Sequence, residues 1–322
     1  WDDADIVYRL TGDVTVPVGS TLTVGAGQII KFRAFGGTGA DDDLIVDGTL
    51  LADGAPAAPI IFTSDLDDSS GGDTRNDGVT TGGNGDWSSI QLHAASTNNV
   101  LNHVEVRFGG GGRAAMVVAD GGSLAVSNSV LRNSSSHALL ARANSVVKLE
   151  NGLVVRNGDT GLRAESGSTV IATNNTFDGN LRGTSADGIG TVLVLTNNLI
   201  TNNSQAGIAE TNRGAVTIRF NNVFNPGAIT GNYSGLANAT GANGNISADP
   251  AYVDRGTLDF HLQATSPAID AATSDNAPID DLAFNFRIDN PATPNTGAGQ
   301  APFIDMGAYE FGGRPRALKH SP

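Results

Sequence analysis

The chain has no cysteine and only three lysines, Lys31, Lys148 and Lys319, in 322 residues. The first absence leaves no disulfide or thiol chemistry to consider. The second goes with 19 basic against 33 acidic residues and a net charge of −14. Phosphate binding needs a basic surface, so nucleic acid is excluded as an expected partner. No run of 18 apolar residues occurs, so no helical insertion into a membrane is expected. Charged residues make up only 16% and aromatics 6%, whereas glycine occupies 42 positions. Few charges and many small turn residues suit a fold built on backbone pairing between stacked units.

What the sequence does have is a repeat. The pieces VSNSVLRN, LENGLVVRN, ATNNTFDGN, LTNNLITNN and RFNNVF follow one another between Val126 and Asn225. Aligned on one apolar residue each, Val130, Val154, Phe177, Ile200 and Phe224 fall 24, 23, 23 and 24 residues apart. Asn128, Asn151, Asn175, Asn198 and Asn222 precede them, and Asn133, Asn157, Asn180 and Asn203 close four of the pieces. A fixed period in the range of about 20–50 residues marks a solenoid. Apolar residues alternate in short runs such as Thr169–Ile171 and Val192–Leu195, which is strand periodicity. Glycine and asparagine interrupt too often for helices. A coil of about 23–24 residues holds three short strands and three turns, each strand pairing with its counterpart one coil away at about 4.8 Å. Equivalent asparagines then stack as amide ladders, and asparagine tolerates the left-handed backbone of a tight bend. The chain therefore reads as one all-β parallel β-helix. The five aligned apolar residues should point inward as a single column.

Taken in order, residues 1–35 supply the first coils, with 1–13 covering an otherwise unpaired sheet edge. Residues 36–43 read as a turn excursion and 44–63 as the next coil. Residues 64–86 hold only two apolar side chains, Leu66 and Val79, and read as a projecting loop. Strands resume at Trp87, which reads with Phe108 as a core plug beside that loop. Residues 226–248, rich in glycine, asparagine and alanine, read as loose loops. Residues 249–311 read as a C-terminal capping segment of the same domain, with Arg287 bound among Asp270, Asp280, Asp281, Asp305 and Glu310. Residues 312–322 read as a linker into a further domain, and the start at Trp1 as the start of a processed piece of a longer protein. With both ends capped, the isolated piece is expected to be monomeric.

Two charged rows follow from the repeat. Aligning HALLAR, TGLRAES, RGTSADG and AGIAET puts Arg142, Glu165 and Asp187 at one position, with Arg163 and Glu210 one or two places away. Carboxylates on neighbouring coils lie about 5 Å apart. That is the spacing at which a glycosidase pairs its acid with a nucleophile or base. Glu165, Asp187 and Glu210 are thus the candidate catalytic residues. The competing reading is a solvent-facing row whose charges neutralise one another. Arg107, Arg132 and Arg156 form a second row, at spacings of 25 and 24. Together with Arg142 and Arg163 they are candidate ligands for an acidic polysaccharide, since guanidinium pairs carboxylate in bidentate fashion. Pairing with local acids such as Glu105 and Glu150 is the alternative.

The coils, the segment PIIFTS…DD…GGDT…DG…GDW and the closing SPAIDA…FIDMGAYEF resemble the right-handed parallel β-helix proteins of the pectate-lyase-like superfamily. They are similar in particular to large secreted bacterial proteins whose helix ends in D-x-G-A-Y-E-[FY]. The resemblance implies a right-handed helix and a secreted or cell-surface location. Its implication for activity is broad, because the superfamily holds lyases, hydrolases, esterases, epimerases and adhesins. The expected function is a structural or adhesive module in contact with extracellular polysaccharide or surface-layer components. The alternative is a polysaccharide lyase or glycoside hydrolase working in a groove on the helix.

The loop offers a metal site. Asp65, Asp67, Asp68, Asp73, Asn76 and Asp77 place six oxygen-bearing side chains within thirteen residues, beside a single arginine. Oxygen ligands without nearby histidine point to Ca²⁺, although the spacing is not that of an EF-hand. The alternative is a solvated acidic loop. The calcium expectation predicts that EDTA lowers the melting temperature and that Ca²⁺ restores it better than Mg²⁺. Asp73→Ala should remove most of that response, and identical melting curves with and without chelator would count against the site.

Overall fold

The computed structural model describes residues 1–3, 5–34 and 42–316. The excursion assigned to 36–43 and the linker assigned to 312–322 therefore fall largely outside the described residues. The parallel β-helix is present. Three parallel sheets of nine, nine and eight strands wrap one core, and each coil visits them in the same order. Sheet A runs from Val7–Leu10 to Asn222–Phe224, sheet B from Val14–Val16 to Tyr233–Ser234, and sheet C from Thr21–Val24 to Ala215–Arg219.

The repeat is 23 residues, set by a pair of residues with different duties at each corner. Between sheets C and A, Asn128, Asn151, Asn174 and Asn197 take left-handed φ of 47° to 60° and turn the chain. The residue after each faces inward. There Asn198 Oδ1 accepts from Asn175 N and Nδ2, both at 2.9 Å. Asn198 Nδ2 donates to Ala172 O and to Asn221 Oδ1. Between sheets A and B, Asn157, Asn180, Asn203 and Asn225 form a second ladder of the same kind. Each buried amide is fully satisfied by its neighbours one coil away, which is what permits it in the interior.

This division corrects the alignment made from the sequence. Asn128 and Asn151 are turn residues, Asn175 and Asn198 are ladder residues, and Asn222 lies one place further on, in register with Leu199, so the pieces were joined across three adjacent columns. The inward column is Leu131, Val154, Phe177, Ile200 and Val223. Val154, Phe177 and Ile200 lie in it as expected, whereas Val130 and Phe224 stand one position off and are only partly buried.

Sheet A has an apolar outer face that must also be covered. Only the middle of the loop stands out: residues 73–79 are largely exposed, whereas the stretch 65–72 lies back across the first strands, drawn by Arg9, Lys31 and Arg107. Trp87 plugs the core beneath, stacked on Phe32 at 4.0 Å and donating its indole N–H to Arg107 O. Nor does the C-terminal segment close the last coil. It runs along the side of the helix and buries outward-facing Leu153, Val155 and Leu199 against Tyr252, Phe260, Ile269 and Met306. The end is closed instead by Tyr233, Leu236 and Ala239 of the 226–248 stretch. The turn asparagines tie the segment down: Asn151 donates to Asp280 O, Asn174 to Asp305 O and Asn197 to Thr273 O.

At the centre of that segment Arg287 takes Glu310 Oε2 at 2.9 Å and Asn151 Oδ1 at 2.8 Å. Burial, working against the pull of Arg287, raises Glu310 to about 7, and it raises the neighbouring Asp305 carboxyl well above its usual range. The folded state therefore prefers the protonated acid. The contribution is complete below the ordinary glutamate value of 4.5 and is lost as pH rises through about 7. The melting temperature should fall across that window, and Glu310→Gln should flatten most of the dependence. Parallel curves for the two proteins would contradict this account.

Candidate functional site

Sheet B carries the charged row on its outer face. In each strand an inward alanine precedes the charged residue: Ala119, Ala141, Ala164 and Ala186 are buried. Side chains alternate across a strand, so Asp120, Arg142, Glu165 and Asp187 must point out. They stand in one register column, followed by Thr211. Arg142, Glu165 and Asp187 thus come together as aligned. Glu210 does not join them. It is in register with Ala186, on the inward side of the strand, and its Oε1 is buried without a partner.

The row is closed by its own ion pairs. Arg163 donates Nε to Glu165 and Nη2 to Asp187, both at 2.7 Å. Arg142 donates to Asp120 at 2.8 Å. Asn212 Nδ2 donates to the other Asp187 oxygen at 2.7 Å. That bond, followed by Thr211 and Arg163, holds the Asp187 carboxyl below its usual range despite partial burial. A general acid needs the opposite shift. Beside the row, Asp159 takes Arg182 at 3.1 Å and lies 3.5 Å from His137 Nδ1. Burial lowers the His137 pKa, and its neutral Nδ1 accepts from Thr160 N at 3.1 Å. The His137 cluster was missed in the sequence, yet the period announces it: His137 and Thr160, like Asp159 and Arg182, are 23 residues apart.

The arginine row of sheet A is shorter than expected. Arg107 and Arg132 are in register, but the next residue in their column is Val155. Arg156 sits in the turn at φ 57° and donates to the carbonyls of Arg255 and Gly256. The 24-residue step read from the sequence is one longer than the true repeat. Glu105 lies between the other two, accepting from Arg107 at 3.0 Å and Arg132 at 2.6 Å. Both guanidinium groups face the Phe108 ring at 5.7 Å.

The loop residues proposed for a metal each face a different partner. Asp65 takes Arg9 at 2.7 Å, and Asp67 takes Arg107 at 2.8 Å together with Thr63. Asp68 accepts from Thr80 N and Oγ1. Asp73 accepts from four backbone N–H groups, of which Gly78 does most to hold its carboxyl below the usual range. Asn76 supplies one of those donors from a left-handed turn, and Asp77 pairs with Arg75 at 3.0 Å. Buried Lys31 donates to Gly72 O. Among the described residues no three acidic or histidine side chains converge as a metal shell.

A family profile described as "Right handed beta helix region" matches residues 88–249, half of the chain. The crystal structure of pectate lyase Pel9A aligns over 94% of this chain and 86% of that one, at 14% identity and a TM-score of 0.30. At that level nothing about activity passes from one protein to the other. No curated protein matches the chain.

The geometry of the row makes a prediction about Asp187. Asn212→Ala and Arg163→Ala should each raise its apparent pKa, as followed by carboxyl NMR. Because the pairs are about a quarter exposed, Arg163→Ala should cost under about 1 kcal/mol of stability. A larger loss, or an Asp187 pKa indifferent to both substitutions, would refute the shared-cation arrangement.

Proposed function

The chain belongs to the right-handed β-helix family, and from that premise we propose that it is a non-catalytic structural module contacting extracellular polysaccharide. The observation that carries the reading is Arg163, which engages both Glu165 and Asp187. A hydrolase needs one carboxyl free to donate a proton and another free to attack or activate water. Here the two share one cation, and one is held below its usual range. Charges paired along an outer face serve a rigid surface, as in the alternating row weighed from the sequence. The location at a bacterial cell surface, or secreted, belongs to the same proposal and rests on the closing FIDMGAYEF segment. The isolated chain is proposed to be a monomer. Its last coil is closed by Tyr233, Leu236 and Ala239, which leaves no open core for a second copy to extend.

A second reading keeps one specific observation. Glu165 and Asp187 are directly opposite on adjacent strands, the right placement for a catalytic pair if Arg163 moves aside. Calcium on the loop is a separate proposal. Asp68 Oδ1, which is buried without a partner, supports it, and the chelator melting curve is its test.

Incubation with a panel of neutral and acidic polysaccharides should release no reducing ends and no unsaturated product above buffer, while retention in affinity electrophoresis is seen with at least one polymer. Turnover that disappears in Glu165→Gln and Asp187→Asn would replace this reading with a hydrolase.

A further inference from the structure

Sheet A lies under the 65–89 loop and the C-terminal segment, and the charges of sheet B are tied to one another. The outer face of sheet C is open. Three adjoining concavities of about 330, 370 and 670 Å³ run down it. The first lies over Val100, Ala125 and Val146 and ends at Lys148. The second starts at Lys148, passes over Ile171 and Val194, and ends at Arg219, with Asp275 and Asn276 of the C-terminal segment beside it. The third continues from Arg219 over Thr217 to Phe220 and Gly244. Lys148 and Arg219 are each shared by two concavities, so the three form one groove along the helix axis. Its floor crosses six neighbouring strands, from Asn99–Asn102 to Ala215–Arg219, a run of about 24 Å.

We propose that this groove binds a neutral, linear polysaccharide lying along the helix axis, an assignment that rests on the polysaccharide-contacting reading above. Three features select that ligand. The first is shape: a floor that repeats at every coil along a straight trough fits an extended polymer better than a compact small molecule. The second is the polar pattern. A column of Val100, Ala125, Ile171 and Val194, broken only by Lys148 between Ala125 and Ile171, runs beside Glu150, Thr173 and Thr196, matching a sugar chain with apolar ring faces and hydroxyl edges. The third is charge. Lys148 pairs with Glu150 at 2.9 Å, and Asp275 lines the same concavity as Arg219 without pairing with it, so the groove holds two charges of each sign. A polyanion gains nothing from a balanced groove on a chain of net charge −14. Arg219 makes one long contact, 3.4 Å to Thr196 Oγ1, and has no carboxylate partner among the described residues. Its remaining N–H groups are available to hydroxyls.

A peptide fits less well. It would bind an open sheet by adding a strand to a free edge. The strands under the groove are paired on both sides except the last, so the floor presents side chains and no unpaired backbone.

The test is affinity electrophoresis and titration calorimetry of the chain with hydroxyethyl cellulose, soluble β-glucan and arabinoxylan as neutral probes, and alginate and polygalacturonate as acidic ones. Ile171→Glu and Arg219→Ala alter the groove, and Arg163→Ala alters the competing face of sheet B. Ile171 is 41% exposed, so its substitution should leave the core intact, which circular dichroism checks; Thr217→Arg is a second block of the floor. The expected result is binding to a neutral polymer, little affected by salt, weakened at least tenfold by each groove variant and unchanged by Arg163→Ala. Loss with Arg163→Ala alone moves the site to sheet B, overturning the groove but not the module. Binding only to the acidic probes, abolished by salt, overturns the ligand class. Binding to none of the five overturns both the groove and the polysaccharide reading.

Discussion

Everything in this molecule depends on buried amides that can be satisfied only by their own copies. An asparagine side chain carries two donors and a carbonyl, and burying it unpaired is costly. Asn175, Asn198 and Asn221 at one corner, and Asn157, Asn180 and Asn203 at another, meet that demand only if each coil stacks on the next without a shift. A slip of one residue would strand the ladder and turn every strand inside out. The two ladders therefore fix the register, and the register decides which residues face the core and which face solvent.

From that register the three faces acquire different characters. Outward Leu153, Val155 and Leu199 make sheet A sticky, and the chain covers it with its own C-terminal segment. Outward Asp120, Arg142, Glu165 and Asp187 make sheet B a charged strip that neutralises itself through Arg142 and Arg163. Outward Ala125, Ile171 and Val194 leave sheet C largely apolar and uncovered, with Lys148, Glu150 and Arg219 as its charges. The chain's acids are thus already paired on one face while a trough lies open on another.

Much of this is legible in the sequence because a solenoid writes its structure once per coil. The period gave the fold class, and aligning the strands placed Arg142, Glu165 and Asp187 in their true column. The errors have one cause. The doublet Asn-Asn in TNN has two duties, a left-handed turn and a ladder rung, and a single asparagine such as Asn128 or Asn151 does not announce which it performs. The same one-residue ambiguity misplaced Val130, Phe224 and Arg156. The path of the C-terminal segment was not legible, because nothing periodic marks which side of the helix will receive it. Nor was the fate of the acidic loop, whose counter-charges Arg9, Lys31 and Arg107 come from three other strands.

The central claim is that the amide ladders set the register, and amide hydrogen exchange tests it most directly. The backbone N–H groups of Asn175, Asn198, Asn180 and Asn203 are bonded to ladder oxygens one coil away. If the ladders are the last structure to open, these amides exchange only through global unfolding, far more slowly than the turn amides at Gly121, Asn144 and Gly188 between sheets B and C. Exchange at both sets of corners at the same rate would mean that the ladders decorate the helix without holding its register.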